Sequence, residues 1–231
     1  EFFRRYANDP EQNRRLLESL LGQARLLKKK KRVRQAKAKY EEVINEFNAR
    51  GLEPGSQDAQ YPAEAAFELV EYDFVAYEKL QIKGRLEKQG EIIQKLKKSK
   101  KELKRRYNEV LGYKFLDWMI AALYRIGHLE ALFAQKLYDV ALPSSMNEDQ
   151  QDEYRGQLDE AARPYEDRAT ANYEFAIKEA RKNSIMTAWT EKIQSALNES
   201  NPEDYPLFKT EVRPNAAQHL SNPFAFPSSP K

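Results

Sequence analysis

The sequence predicts an all-α fold in which helices pack as antiparallel pairs, as either an α-solenoid or an irregular helical bundle. Apolar side chains recur every three or four residues along most of the chain, which is the spacing of one helical face. Alternating runs of β-branched residues bounded by turns, which would indicate strands, do not occur. Only 8 glycines are present among 231 residues, so positions that would break a helix are few.

Three helices are predicted in the N-terminal third of the chain. Asp9 followed by Pro10 favours a helix start, because Asp caps free amides and Pro suits the first turn. A second helix is expected to stop at Gly51, and a third to begin near Pro62 after a loop. Their apolar positions are Leu16, Leu17, Leu20, Leu21, Leu26 and Leu27, then Tyr40, Val43, Ile44 and Phe47, then Ala65, Ala66, Leu69, Phe74 and Leu80.

A strongly basic segment at about residues 82–110 has the spacing of a coiled coil. Seven of nine positions in alternating steps of four and three residues are apolar, which predicts a narrow apolar stripe on a basic helical rod. A bend near Ser99 would make the segment an antiparallel helical pair instead. The nine positions are Ile82, Leu86, Gln89, Ile93, Leu96, Lys100, Leu103, Tyr107 and Val110.

The most apolar stretch, residues 115–141, predicts a core helix or two helices hinged near Gly127. Charged residues interrupt this stretch too often for it to span a membrane. Pro143 should end it, and the four residues from Ser145 to Glu148 have the pattern of a capping box that opens the next helix.

The next helix is expected to continue to about Arg181, with Pro164 as a kink or a restart. Alanines at helical spacing in both of these helices would let the paired helices approach closely. Asn183 and Ser184 separate a last helix, which bears Ile185, Trp189, Ile193 and Leu197.

We therefore expect one helical repeat domain over residues 1–206 and an extended, Pro-rich tail over residues 207–231. In this tail Phe224 and Phe226 lie between prolines, and such aromatic side chains need a surface against which to bury. Because the first residue is Glu1 and not Met, we also expect the chain to be part of a longer protein.

A net charge of +3 conceals a strong segregation of charge along the chain. Residues 25–39 contain nine basic and no acidic side chains, and residues 83–106 contain eleven basic and three acidic ones. Residues 139–205 reverse the balance, with fifteen acidic and seven basic side chains. This pattern favours ordered assembly or binding to an oppositely charged partner.

Four motifs, taken in their order, resemble one family. The motifs are Gln81-Ile-Lys-Gly-Arg-Leu-Glu-Lys-Gln-Gly90, Trp118-Met-Ile-Ala-Ala-Leu-Tyr-Arg-Ile-Gly127, Tyr154-Arg-Gly-Gln-Leu-Asp-Glu-Ala-Ala-Arg-Pro164-Tyr-Glu-Asp-Arg-Ala169, and Trp189-Thr190 followed by Leu197 and Pro202-Glu-Asp-Tyr-Pro206. Their order resembles the C-terminal helical region of tetratricopeptide-repeat proteins from deltaproteobacterial cell envelopes, a group that includes proteins associated with adventurous gliding motility. The resemblance covers about residues 78–206.

The resemblance implies a tetratricopeptide-like α-solenoid that acts as a non-catalytic scaffold in an envelope complex. It implies a periplasmic or outer-membrane-associated protein of a Gram-negative bacterium, with a cytoplasmic location as the alternative. It carries over no catalytic residue and no cofactor. Its motif residues correspond to structural packing positions, which are Trp118, Ala122, Tyr124, Gly127, Pro164, Tyr173 and Trp189.

Little in the sequence favours catalysis. The chain has no cysteine, and its only histidines are His128 and His219, so neither a thiol nucleophile nor a multi-histidine metal site is expected. Glycine-rich phosphate-binding loops do not occur. The acidic cluster at residues 148–153 is interpreted as helix-start carboxylates that the helix dipole stabilises. We therefore predict no enzyme activity, no metal site, no cofactor and no small-molecule substrate.

The basic segments are the main candidates for binding a partner. We expect the partners to be other proteins of an envelope complex or further copies of the chain. The alternative is an accessory protein that binds nucleic acid or another polyanion through residues 25–39 and 83–106, although neither segment contains aromatic residues for base stacking. A peripheral contact with anionic lipid headgroups is a third use of such segments. The candidate residues are Lys28, Lys29, Lys30, Lys31, Arg32, Lys97, Lys98, Lys100 and Lys101, together with Phe224 and Phe226.

Overall fold

The structure is a computed structural model that describes residues 9–143 and 145–207. These residues form seven α-helices and one short 3-10 turn, Gln57–Ala59, and contain no strand, which confirms the all-α prediction. The helices are α1 (Pro10–Lys29), α2 (Val33–Ala49), α3 (Gln60–Glu78), α4 (Leu86–Leu111), α5 (Leu116–Tyr138), α6 (Glu148–Lys182) and α7 (Ala188–Ser200).

Each helix packs against the next one along the chain, and the odd-numbered helices also contact one another in series. Ion pairs show that α1 and α3 run parallel, because Arg14 pairs with Asp58 and Lys28 with Glu68. Helices α3 and α5 also run parallel, because Glu71 pairs with Arg125 and the carbonyl of Glu78 accepts from Lys136. Helix α6 runs antiparallel to α5, because Arg168 contacts Glu130 and Tyr165 contacts Phe133. The result is an array of antiparallel helix pairs in which α1, α3, α5 and α7 form one layer.

The apolar core of this array falls into three clusters along its length. The first joins α1, α2 and the start of α3, and includes Leu17, Tyr40 and Phe47. The largest lies among α3, α4, α5 and the first half of α6. The third joins α5 to the second half of α6 and to α7. Because every helix contributes to at least one cluster, burial of apolar surface holds the whole array together.

Helix α4 is one continuous helix with no break at Ser99. The predicted apolar stripe of α4 faces α3 and α5. Five of its apolar residues are buried, namely Ile82, Leu96, Leu103, Tyr107 and Val110. The helix begins at Leu86, so Ile82 lies in the preceding loop although it is 3% exposed. The stripe also buries two polar side chains, Gln89 and Lys100.

Helix α5 is also continuous, so no hinge is present at Gly127. The glycine has a different role, because the ring of Tyr173 on α6 lies against it. A Cβ atom added at Gly127 would lie 2.7 Å from Cε1 of Tyr173, closer than non-bonded carbon atoms normally approach. The absence of a side chain therefore lets α5 and α6 pack closely at this level.

The structure corrects two predicted helix starts. The cap of α6 is Asn147 rather than Ser145: the Asn147 side chain accepts a hydrogen bond from the N–H of Gln150, whose side chain accepts one from the N–H of Asn147. Asn147 is the cap because it directly precedes the first helical residue and exchanges reciprocal hydrogen bonds with Gln150, the third helical residue. Helix α7 begins after Thr187, so Ile185 lies in the turn before it.

Helix α6 continues on both sides of Pro164. The proline removes one N–H donor but does not restart the helix, because the neighbouring turns keep their own backbone hydrogen bonds and pack on α5. Pro164 is exposed, which corrects the expectation that it is a packing residue.

Candidate functional site

The two basic segments, distant in sequence, meet at Asp73 on α3. Its carboxylate accepts a hydrogen bond from Lys37 of α2 at 3.4 Å and another from Arg106 of α4. Although burial opposes ionisation, these two cations lower the pKa of Asp73 below its ordinary value. The fold therefore places the α1–α2 region and α4 beside each other, with Asp73 as the bridge.

Eight of the twenty cations in these segments are neutralised within the protein. The pairs are Arg25 with Glu64, Lys28 with Glu68, Lys37 and Arg106 with Asp73, Lys39 with Glu42, Lys100 and Lys104 with Glu130, and Arg105 with Glu102 and Glu109. The partner acids come mostly from α3 and α5, so these pairs help to fasten α1, α2 and α4 to that layer.

The other twelve cations are exposed and form no ion pair with any of residues 9–143 and 145–207. They lie around the α1–α2 turn, in the segment before α4 and along α4, and we call this set of residues the cationic face. They are Lys29, Lys30, Lys31, Arg32, Arg34, Lys83, Arg85, Lys88, Lys95, Lys97, Lys98 and Lys101. Four apolar side chains at 45–59% exposure lie within three residues of them in sequence, namely Leu26, Val33, Leu80 and Leu86. The face thus offers charge together with some apolar surface.

Two of the nine predicted cationic binding residues form ion pairs with other residues of the described part of the chain. Lys28 pairs with Glu68 on α3 while its side chain stays partly exposed. Lys100 is buried and pairs with Glu130, so it is directed toward the protein's own interior and not toward a partner. The other seven belong to the cationic face, whereas Phe224, Phe226 and His219 lie outside the described residues.

Lys100 belongs to a buried charge cluster that the sequence reasoning missed. Its ammonium group donates to Glu130, which is 2% exposed, and lies 4.2 Å from the centre of the Tyr165 ring. Lys104 and Arg168 each approach the same carboxylate at 3.5 Å. Burial lowers the pKa of Lys100, and the Glu130 carboxylate opposes this shift. The available signal was a lysine at a coiled-coil core position, which indicates a buried partner.

Gln89, the other polar residue of the stripe, fastens the ends of three helices together. Its amide nitrogen donates to the backbone carbonyls of Gly84 at 2.9 Å and Ala141 at 2.8 Å. Its amide oxygen accepts a hydrogen bond of 2.7 Å from the hydroxyl of Tyr154 on α6. Both ends of this fully buried amide are therefore satisfied, as a buried polar group requires.

Six of the seven predicted packing residues are at least partly buried. The rings of Trp118 and Trp189 lie 5.2 and 5.4 Å from that of Phe67, so α5 and α7 meet on α3. The remaining buried members are Ala122, Tyr124, Gly127 and Tyr173.

A second surface feature is a groove of about 1020 Å³ between α5, α6 and α7, which we call the acidic groove. Its floor is largely aromatic and apolar, with Tyr124, His128, Leu132 and Tyr173. Four exposed carboxylates also line it, namely Glu166, Asp167, Glu191 and Glu199. Within the described part of the chain, none of the four forms an ion pair. The sequence suggested no site here, because its residues come from three helices.

His128 on the floor of the groove has no arrangement suited to catalysis. Its ring stacks on Tyr124 at 5.5 Å, and burial, aided by the Arg125 charge, lowers the pKa of His128. Among residues 9–143 and 145–207, no group of three or more His, Cys, Asp and Glu side chains could hold a metal ion. The helices of this part of the chain also include none with the length and apolar character needed to cross a bilayer.

The geometry thus presents two surfaces of opposite charge and no catalytic constellation among the described residues. Comparison with protein-family models, with curated proteins and with solved structures finds no match for this chain.

Proposed function

We propose that this protein is a non-catalytic scaffold that binds the acidic surface of another protein through the cationic face. The observation that carries the proposal is the set of twelve exposed cations with no counter-ion among the described residues. Exposed like charges repel one another, so a surface on which twelve cations have no ion-pair partner among residues 9–143 and 145–207 is suited to an anionic partner.

We further propose that the array is a tetratricopeptide-like α-solenoid in a bacterial envelope complex, periplasmic or associated with the outer membrane. The serial contacts among α1, α3, α5 and α7 support the solenoid, because helix-pair repeats stack with one helix of each pair against its counterpart. The envelope setting and a link to gliding motility rest on the resemblance of residues 78–206 alone.

The alternative, a nucleic-acid-binding accessory protein, uses the same cations but has less support. Phosphate contacts need only charge, but single-strand binding also uses aromatic stacking, and neither basic segment contains an aromatic residue. Peripheral binding to anionic lipid would use the cations with the exposed leucines Leu26, Leu80 and Leu86.

The test measures binding of three labelled probes at 0.15 M salt: poly-glutamate, a 30-nucleotide DNA in single- and double-stranded form, and vesicles with 30% anionic lipid. A variant that changes Lys29, Lys30 and Arg32 to Gln removes three charges from the cationic face. The matched control changes Arg155, Lys178 and Lys182, three exposed cations of α6, to Gln.

The scaffold proposal expects poly-glutamate to bind and the face variant, but not the control, to lose at least half of its affinity. Tighter binding to either DNA with a steep salt dependence would replace the scaffold by the nucleic-acid alternative. Binding to vesicles alone would assign the face to a membrane surface.

A further inference from the structure

The acidic groove and part of the cationic face are complementary in charge. Three exposed lysines, Lys97, Lys98 and Lys101, fall within an arc of about 100° on the side of α4 away from its buried stripe, and we call them the lysine ridge. The groove presents four exposed carboxylates and one exposed lysine, Lys192, so its lining carries a net negative charge. Neither surface has ion-pair partners among residues 9–143 and 145–207, and of the four carboxylates Glu166 alone accepts a side-chain hydrogen bond there, from the Tyr138 hydroxyl at 2.8 Å.

One copy cannot join its own ridge to its own groove, because α5 lies between them. Ile126, Glu130 and Phe133 of α5 face the core that α4 completes, as the Lys100–Glu130 pair shows. His128 and Gln135 of the same helix line the groove. Residues two apart on a helix point about 200° away from each other, so these two sets lie on opposite sides of α5.

Lysines in this protein already pack against aromatic rings in the way the groove would require. Lys100 combines a carboxylate, Glu130, with the ring of Tyr165 at 4.2 Å. Lys192, at the edge of the groove, lies 4.3 Å from the centre of the Trp189 ring. The groove offers a similar combination to an incoming lysine, since exposed carboxylates line it together with the half-buried side chains of His128 and Leu132.

We propose that the acidic groove of one copy receives the lysine ridge of a second copy, so that the protein assembles head to tail. The contact joins two different surfaces, and such a heterologous interface leaves a free ridge at one end and a free groove at the other. Growth beyond a dimer is therefore built into the geometry. The contact is small and charge-based, so it forms at low salt and high local concentration.

This inference uses residues of the cationic face from the proposed function, but the groove gives it an independent test. The ridge variant changes Lys97, Lys98 and Lys101 to Gln. The groove variant changes Asp167 to Asn and both Glu191 and Glu199 to Gln. All six positions are exposed, and unfolding in urea checks that the variants keep wild-type stability.

Sedimentation velocity at protein concentrations from 1 to 100 µM measures the assembly. In 20 mM salt the wild-type protein is expected to grow with concentration to species larger than a dimer, and in 0.3 M salt to return to the monomer. Each variant alone should associate about tenfold more weakly than wild type, since three ion pairs are lost. The α6 control variant described above should assemble as wild type does.

The decisive sample is an equimolar mixture of the two variants. The ridge variant keeps an intact groove and the groove variant keeps an intact ridge, so at a concentration where neither variant associates alone the mixture should form a 1:1 dimer and nothing larger. A wild-type monomer at 100 µM in 20 mM salt, or a groove variant that assembles normally, would overturn the inference. The groove variant retains all twelve free cations, so its binding to poly-glutamate tests the proposed function separately.

Discussion

Replacing Gly127 with Ala tests whether close packing of α5 on α6 depends on the missing side chain. The new Cβ would lie 2.7 Å from Cε1 and 2.8 Å from Cδ1 of Tyr173. Because Tyr173 is 3% exposed and stacks on Tyr124 at 5.8 Å between ring centres, its ring has little room to move. Overpacking of this kind costs about 1–3 kcal/mol.

A glycine-to-alanine change inside a helix also raises the free energy of unfolding by about 1 kcal/mol, because Ala restricts the unfolded chain and has a higher helix propensity. The same change at Gly156 of α6 measures this favourable contribution alone, since a Cβ added there meets no atom within 4 Å. We therefore expect Gly156→Ala to raise the free energy of unfolding by about 1 kcal/mol. Gly127→Ala should lower it by about 1 kcal/mol, which leaves a difference of about 2 kcal/mol between the two variants.

Urea unfolding followed by circular dichroism at 222 nm measures both variants. A double variant with Tyr173→Ala removes the ring, and in that background Gly127→Ala should become stabilising, as it is at Gly156. The reasoning is refuted if Gly127→Ala is as stable as Gly156→Ala, or if its effect is unchanged when the Tyr173 ring is absent.

Three further predictions concern buried charge, pH and a helix cap. Glu130→Gln leaves the buried Lys100 without a carboxylate, so urea unfolding should show a loss of about 3–5 kcal/mol, and a loss below 1 kcal/mol would contradict a buried pair. Burial lowers the pKa of His128 in the folded protein, so the unfolded chain binds the proton more readily. The free energy of unfolding should therefore fall as pH decreases below about 6.5. His128→Gln should remove that part of the slope between pH 5 and 8, and an unchanged slope would refute the assignment. Thr187→Ala removes the side-chain cap of α7 and should cost about 1 kcal/mol in thermal or urea unfolding, whereas Thr187→Ser, which keeps the hydroxyl, should cost less.

Local signals in the sequence predicted most of the helices. Asp9 with Pro10 starts α1, and Gly51 follows α2 with a positive φ of 61°, as a residue after a helix end often has. The capping box before α6 was predicted two residues too early, because Ser145 and Asn147 are both good caps and sequence alone does not rank them. Only the contacts of the folded turn select Asn147.

Among the predicted binding residues, too, the sequence predicts some properties and only the folded structure decides others. A run of lysines in residues 28–32 reads as a charged surface, and four of its five members are free of ion pairs within the described chain. Lys100 was predicted to bind a partner together with Lys97 and Lys98, although its coiled-coil position already indicated the buried stripe of α4 on which it lies. The acidic groove gave no sequence signal, because three helices separated by long intervals supply its walls.

The sequence by itself determined the helical class, the approximate helix limits and the segregation of charge, because these depend on the order of side chains over one or two helical turns. Tertiary structure decided which charges stay free, why Gly127 carries no side chain, and that two basic segments meet at Asp73 while four carboxylates line one groove. Those properties arise from distances between residues far apart in the chain. Periodicity assigns each residue to a face of its own helix, but only packing determines which other helix covers that face.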